Sequence, residues 1–336
     1  MTISKETRMI RFDNLLMLAP LAGYTDLPFR SVVKGFGVDI TVSEMISSHA
    51  LVYNNTRTLK MIEKSQEEQP YSVQISGSKE EIIKKAVEIL NEQEGIDIID
   101  LNCGCPAPKV ANHGNGSGLL KDLNLLVKIA NLIKENAKTP YTSLKVRLGF
   151  DKKIPHEIAQ ALKDVKSDFV VIHGRTRADG YKKERIDYDA IASIKAQVDL
   201  PVIANGEIDS ASKAREVLER TGANGVMIGR AALSAPWIFW QIKHNTQEIP
   251  PIIKQELVLQ HFKKMIDFYG ERGAIMFRKN LHAYAKGHQG ASEFRDLVNR
   301  LEDVKIIETH IEQFFSNNQM VMNAFPQLVH LNKRTS

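Results

Sequence analysis

Cysteine is scarce in this chain: two in 336 residues, Cys103 and Cys105, with one glycine between them. That excludes a disulfide framework, and Cys-Gly-Cys is too short to make a zinc site by itself. No metal site is expected, and a reducing cytoplasm is the natural compartment for two free thiols. Long apolar runs are also missing. No stretch reaches the roughly 18 apolar residues of a membrane span. The start, Met1 to Arg11, is polar and charged and lacks the apolar core of a signal peptide. No large charge excess exists either. Net charge is +5 and the pI about 9.0, which permits a nucleic-acid partner without requiring one. No obligate protein partner is evident.

What the chain does have is 43% apolar residues arranged in short, separated runs. Eight recur: Leu15–Ala19, Ile40–Ser43, Tyr71–Ile75, Ile96–Leu101, Thr142–Val146, Phe169–Ile172, Pro201–Ala204 and Gly225–Ile228. They are rich in Val, Ile and Leu, as strands buried on both faces are. Between them, Lys79–Asn91, Gly118–Glu135, Asp189–Gln197 and Ala211–Arg220 have helical spacing, and Ser78 and Ser210 stand where N-caps belong. The spacing matches the roughly 30 residues per unit of a TIM (β/α)8 barrel. Eight units favour a closed barrel over an open doubly wound sheet. The barrel should end near Trp240. Past the Pro250-Pro251 break there are no strand signals from Gln255 to Asn317, only three or four amphipathic helices broken at Gly270, Gly273, Gly287 and Gly290. The expected organisation is therefore a barrel over 1–244 and a small C-terminal α-helical domain over 245–336. From Ile252 onward there are 12 Lys and Arg against 9 Asp and Glu, so this smaller part carries most of the basic excess.

The most informative stretch is Asp100-Leu101-Asn102-Cys103-Gly104-Cys105-Pro106. It sets Cys105 in a tight Gly-Cys-Pro turn directly after a strand. Gly104 permits the bend and Pro106 fixes φ beyond it. A buried structural cysteine needs no such punctuation. Parallel α/β folds put their chemistry at the C-terminal ends of strands. The other strand ends are polar too. They carry Pro20-Leu21-Ala22-Gly23-Tyr24-Thr25-Asp26, Glu44-Met45, Gln74, Lys145 and Arg147, His173-Gly174-Arg175-Thr176-Arg177, Asn205-Gly206-Glu207 and Gly229-Arg230. Any one of these residues serves equally well as a cap. All eight ends together define a mouth, because buried polar groups are costly unless paired.

Asn205-Gly206 and Gly229-Arg230 follow strands seven and eight, the usual phosphate corner of such a barrel. Lys145 and Arg147 share one strand face, so they face an anion or an electron-rich ring; the competing reading is a salt bridge to Glu44 or Asp100. His173 reads equally as a core histidine bonded to backbone. Arg175, Arg177, Lys182, Lys183 and Arg185 ring the mouth after strand six. In the tail, Arg278 and His282 share a helical face flanked by Lys279 and Lys286, either a solvated face or a phosphate-backbone contact.

Taken together, Ala19 to Asp26, Asp100 to Val110, His173-Gly174-Arg175-Thr176 and Asn205-Gly206-Glu207-Ile208 resemble the tRNA-dihydrouridine synthases, most closely their bacterial B-type branch. The likeness runs from about Leu18 to Gly287. Its discriminating block is Asn-x-Gly-Cys-Pro-x-x-Lys-Val, which generic flavin barrels lack. The resemblance implies FMN, with NADPH as reductant and tRNA as substrate. Pro20, Leu21 and Ala22 would line the flavin, and Gln74 and Lys145 would bond its edge. His173, Asn205, Gly206, Glu207, Gly229 and Arg230 would surround the flavin and its phosphate. Asn102 would bind uracil, and Arg147, Arg175, Arg177, Arg278 and Lys279 would contact the RNA. Cys105 would be the general acid, since a thiol is ordinarily protonated at neutral pH yet able to release its proton. Two departures stand out. Cys103 replaces the apolar residue usual before Gly104, and Glu207 stands where Asp is common. A free-pyrimidine flavoenzyme and a flavin-free RNA-binding barrel are the rival readings. The first needs neither the helical tail nor the basic mouth.

Overall fold

The computed structural model describes residues 9–53, 56–248 and 254–316. Nine parallel strands form one sheet: β1 (Leu15–Leu18), β2 (Thr41–Val42), β3 (Ile46–Ser47), β4 (Tyr71–Ser76), β5 (Ile98–Cys103), β6 (Tyr141–Arg147), β7 (Phe169–His173), β8 (Val202–Asn205) and β9 (Gly225–Ile228). β2 and β3 both pair with β4 and are two pieces of one barrel strand. The order runs β1-β9-β8-β7-β6-β5-β4-β2. A bridge between Met17 and Ile40 closes the circle, with Leu18 N–H donating to the Ile40 carbonyl at 3.0 Å. The result is the eight-unit TIM barrel that the eight apolar runs predict.

Two apolar layers hold it. Inside, Leu15, Met17, Ile40, Val42, Ile98, Phe169, Val171, Ile203 and Met227 fill the lower part of the barrel. Outside, Val73, Ile75, Ile99, Leu101, Leu144 and Val146 pack under the ring of helices. Strand residues alternate in facing, so the same strands send Gln74, Asp100, Asn102, Lys145 and Arg147 inward above the apolar floor.

Of the two serines expected as N-caps, Ser210 is one and Ser78 is not, and aspartates cap helices as well. Asp26, Asp122, Asp187 and Ser210 cap their helices by accepting a backbone N–H. Ser78 does not: Lys79 holds the N-cap position of Glu80–Asn91 and no side chain caps it. The expected helix over Gly118–Glu135 is a 3-10 turn, Gly116–Lys121, followed by a helix, Leu123–Asn136, because Asp122 intervenes as a cap.

Four helices follow the barrel: Lys254–Tyr269, Arg272–Ala285, Ala291–Val298 and Val304–Ser316. Gly270, Gly287 and Gly290 have positive φ and separate the first three of them. Gly273 does not break a helix. It sits in the first turn of Arg272–Ala285, where a Cβ would collide with the Met265 carbonyl, so its role is close helix approach. The core continues from the barrel into this segment through Phe29, Phe262, Met265 and Phe277. Lys60 Nζ ties the Phe268 carbonyl at 2.8 Å. The Pro250-Pro251 break and the chain ends, 1–8 and 317–336, lie outside the described residues.

Candidate active site

All eight strand ends converge on one cavity of about 350 Å³ at the C-terminal mouth. Pro20, Leu21, Ala22, Gln74, Asn102, Cys105, Lys145, Arg147, His173, Arg175, Asn205, Gly206, Glu207, Gly229 and Arg230 all line it, as the motifs predict. Three predicted residues do not. Arg177 lies over the Phe150 ring, 4.9 Å from its centroid. Arg278 donates to the Leu301 carbonyl and His282 lies 3.0 Å from Asn299 Oδ1, so that tail face grips the 299–301 turn. Lys279 leans over the first loop, 5.2 Å from the Tyr24 ring centroid.

The cysteine turn is held from below by a chain of neutral donors and one carboxylate. Ser143 Oγ donates to Asp100 Oδ1 (2.5 Å), Gln74 Nε2 to Asp100 Oδ2 (2.6 Å), and Asn102 Nδ2 to Gln74 Oε1 (2.7 Å). Asn102 Oδ1 accepts from the N–H groups of Gly104 (3.1 Å) and Cys105 (2.9 Å). Above the turn, Arg147 Nε donates to the Gly104 carbonyl at 2.7 Å, and its Nη1 to the Thr176 and Gly180 carbonyls. Ser117 Oγ donates to the Cys105 carbonyl at 2.8 Å. Arg147 and Asn102 therefore aim the turn. Burial keeps Asp100 more protonated than a free carboxylate, against the bonds from Ser143 and Gln74.

The two thiols part company here. Cys103 is on the outward face of β5, fully buried among the apolar side chains under the helices. Burial, with Asp100 nearby, pushes its pKa well up, so it is an inert thiol. Cys105 is half-buried and lines the cavity.

Opposite lies a cationic wall. Arg175, fully buried, donates to Glu207 (2.7 Å) and to the Lys182 carbonyl (2.8 Å), and Arg230 also pairs with Glu207. Arg175 thus fastens the loop after β7 rather than reaching solvent. Glu207 adopts φ +50, a left-handed conformation that a non-glycine residue holds only when neighbours fix it; here two arginines do. Arg175 Nη1 lies 3.3 Å from His173 Nε2. Arginine only donates, so this nitrogen accepts and the ring proton resides on Nδ1. Burial, then the cations Lys145, Arg147, Arg175 and Arg230, hold the His173 pKa well below its usual value, which keeps the ring neutral.

Lys145 is the exception in this ring of satisfied groups. The two carboxylates expected as its partners are engaged elsewhere, Glu44 with the Gly23 N–H and Asp100 as above. The Lys145 side chain makes no hydrogen bond or ion pair with any described residue. Burial and then Arg147 bring its pKa down to about 7, against the pull of Asp100 and Cys105. An anion beside Nζ would restore its charge.

The phosphate corner is shaped by glycine. Gly206 has φ +123, and a Cβ there would strike Ile186 and the His173 ring. At Gly229 a Cβ would meet only Ala19 and Leu21, at 3.5 and 3.7 Å, so the missing side chain serves the cavity rather than packing. A further cavity of about 370 Å³ opens behind this corner, with Lys183, Arg230 and Lys286 among its walls. The sequence reading missed Tyr181, which covers the mouth between Arg147 and Arg230 at 5.6 and 5.4 Å. An aromatic inside the basic loop after His173 was the available signal.

Fold and site thus define a TIM-barrel enzyme with a cation-lined mouth and a single accessible thiol facing it. The family model described as dihydrouridine synthase (Dus) matches residues 17–319. A probable tRNA-dihydrouridine synthase of Helicobacter pylori (strain J99) is 62% identical over 320 residues, covering 95% of this chain and 97% of that one. A tRNA-dihydrouridine synthase B of Pseudomonas syringae pv. tomato is 41% identical, covering 90% and 92%. This chain belongs to the dihydrouridine synthase family. Among solved structures, TcOYE with pHBA (TM-score 0.54, 7% identity, 78% of this chain and 97% of that one) shares the fold. So does a morphinone reductase variant with tetrahydroNAD (TM-score 0.52, 10% identity, 71% and 89%). No helix among the described residues is long and apolar enough to cross a membrane.

Proposed function

We propose that the protein reduces a uridine in the D-loop of tRNA to 5,6-dihydrouridine, with FMN as bound cofactor and NADPH as reductant. The observation that carries this reading is the pairing of one accessible thiol, Cys105, with Lys145, a cation without a side-chain partner among the described residues, inside a mouth whose arginines are already engaged. The residues fit FMN: Lys145 awaits an electron-rich partner, Gly229 leaves space that packing does not require, and Lys183, Arg230 and Lys286 flank a corner suited to phosphate. Bound there and reduced by NADPH, FMN would supply the hydride that C6 of the uracil needs.

The chain's own residues do the rest. Cys105 gives its proton to C5, and the Asn102–Gln74–Asp100–Ser143 chain, with Arg147, holds it in place. Lys145 stabilises negative charge at the flavin edge, and His173, Pro20, Leu21 and Ala22 line its pocket. The Arg175–Glu207–Arg230 group, with Arg175 buried and Arg230 at the surface, fixes the phosphate corner. A uridine must leave its stack to reach this depth, at a cost of a few kcal/mol. Phosphate contacts from Arg177, Lys182, Lys183 and Arg185 at the mouth and from Lys279 on the helical segment offset that cost. On this reading residues 1–244 form the catalytic barrel and 245–336 the part that holds tRNA, in the cytoplasm where both thiols stay reduced. Family likeness to the B-type branch favours position 17. Digestion and mass spectrometry of tRNA from cells with and without the gene test the proposal. Loss of one dihydrouridine supports it and names the site; an unchanged profile, with a purified yellow protein that reduces free pyrimidines, overturns it.

A further inference from the structure

Outside the site just described, five polar side chains converge without internal partners. His49, Ser78, Lys79, His113 and Asn115 line a separate cavity of about 380 Å³. None of their side chains makes a hydrogen bond or ion pair with a described residue. They come from three successive connections at the mouth end of the barrel: His49 from the short helix Ser48–Val52 after β3, Ser78 and Lys79 from the loop after β4, and His113 and Asn115 from the segment after β5. The start of Glu80–Asn91, which has no side-chain cap, opens beside them. Tyr53 stands at the edge of this group, 75% exposed, its ring stacked on His49 (centroids 6.2 Å, interplanar angle 17°). The cavity abuts the catalytic turn. Asn115 precedes Gly116, where a Cβ would come within 3.0 Å of Cys105 Cβ.

Cationic and neutral donors beside an exposed aromatic pair are the chemistry of an unpaired nucleotide: a flat face for the base and donors for its phosphodiester. A soluble metabolite would not need a ring left standing in solvent. The position also suits it. The phosphate corner occupies the seventh and eighth strand ends and this cavity the second to fourth, so Cys105 lies next to it on the RNA side of the site. We infer that this cavity is a docking subsite for one unpaired nucleotide beside the target uridine, its base stacking on Tyr53 and His49 and its phosphate held by Lys79 and His113. The inference deepens the proposed function and rests on it.

The test uses the FMN-loaded full chain and an unmodified tRNA transcript, with Kd measured across a salt series. Tyr53→Ala should weaken binding about tenfold with the salt slope unchanged, and Tyr53→Phe should bind as the parent does. Lys79→Ala should lower the slope by about one, because one phosphate contact is lost. All three should consume NADPH at the parent rate, since none touches the flavin pocket. Equal Kd and equal slope in Tyr53→Ala and Lys79→Ala overturn the subsite and leave the function standing. A parent protein that binds the transcript but forms no dihydrouridine overturns the function and not the subsite.

Discussion

The two sides of the mouth are built on different electrostatics. The thiol side, from β4 to β6, hangs on a short chain of neutral amides and a hydroxyl ending in one buried carboxylate, Asp100. The corner from β7 to β9 is an ion network, with Glu207 shared between Arg175 and Arg230. The contrast follows from what each must do. A proton donor needs a fixed position and a quiet field, whereas an anion needs concentrated positive charge. Lys145 stands between them and belongs to neither network.

The sharpest way to break this comparison is at the thiol. Cys105→Ala should cut dihydrouridine formation by about 10²–10⁴-fold while FMN binding and NADPH oxidation persist. Cys103→Ala, on the other face of β5, should change the rate little and cost some stability instead. Mass spectrometry of product nucleosides with both variants decides this, and the reverse result would reassign the acid to Cys103. Next in size is the hinge of the neutral chain. Asn102→Ala strands two backbone N–H groups and the Gln74 oxygen, a loss of about 1–3 kcal/mol for each buried group left unpaired. Product formation should fall about a hundredfold with NADPH oxidation much less affected, since misplacing a reacting group by an ångström has that effect.

On the ionic side the effects should show in stability and affinity. Gly206→Ala forces a Cβ onto Ile186 and His173 at φ +123 and should destabilise the fold by about 1–3 kcal/mol, read as a lower Tm and weaker FMN retention. Lys145 gives a pH signature. Its pKa in the folded protein is about 7, below the ordinary 10.5, so between those values the unfolded chain binds more protons than the folded one. The FMN-free protein should therefore gain stability as pH rises from 7 towards 10, and Lys145→Met should remove that gain. Thermal melts at pH 7 and 9 check the sign; a parallel rise in Lys145→Met would show that another group is responsible. The smallest change is at the rim. Arg177→Ala should lower tRNA affinity a few-fold and the salt slope by about one, with catalysis of bound tRNA intact.

Much of this was legible in the chain. Eight apolar runs placed eight barrel strands to within a residue or two, because strands buried on both faces must be apolar. The irregular second strand was only half legible: Ile46–Ser47 is too short to signal itself, and Glu44 interrupts the pairing to cap the Gly23 N–H. Ser78 misled because a serine ahead of a helix permits a side-chain cap but does not guarantee the geometry. Gly273 misled because a glycine that opens a helix and one that admits a neighbouring helix look alike in one dimension.

Motif and spacing alone fixed the residues at the mouth, their order around it and the turn that presents Cys105, since these depend on local bends and on strand periodicity. They could not separate cations that bind from cations that build. Arg147, Arg175 and Arg278 read like Lys145 in the sequence. In the folded protein Arg147, Arg175 and Arg278 hold carbonyls or a carboxylate, and the Lys145 side chain has no partner among the described residues. Pairing is a property of distances between strands and loops far apart in the chain, so only the tertiary structure decides which charge remains for a ligand.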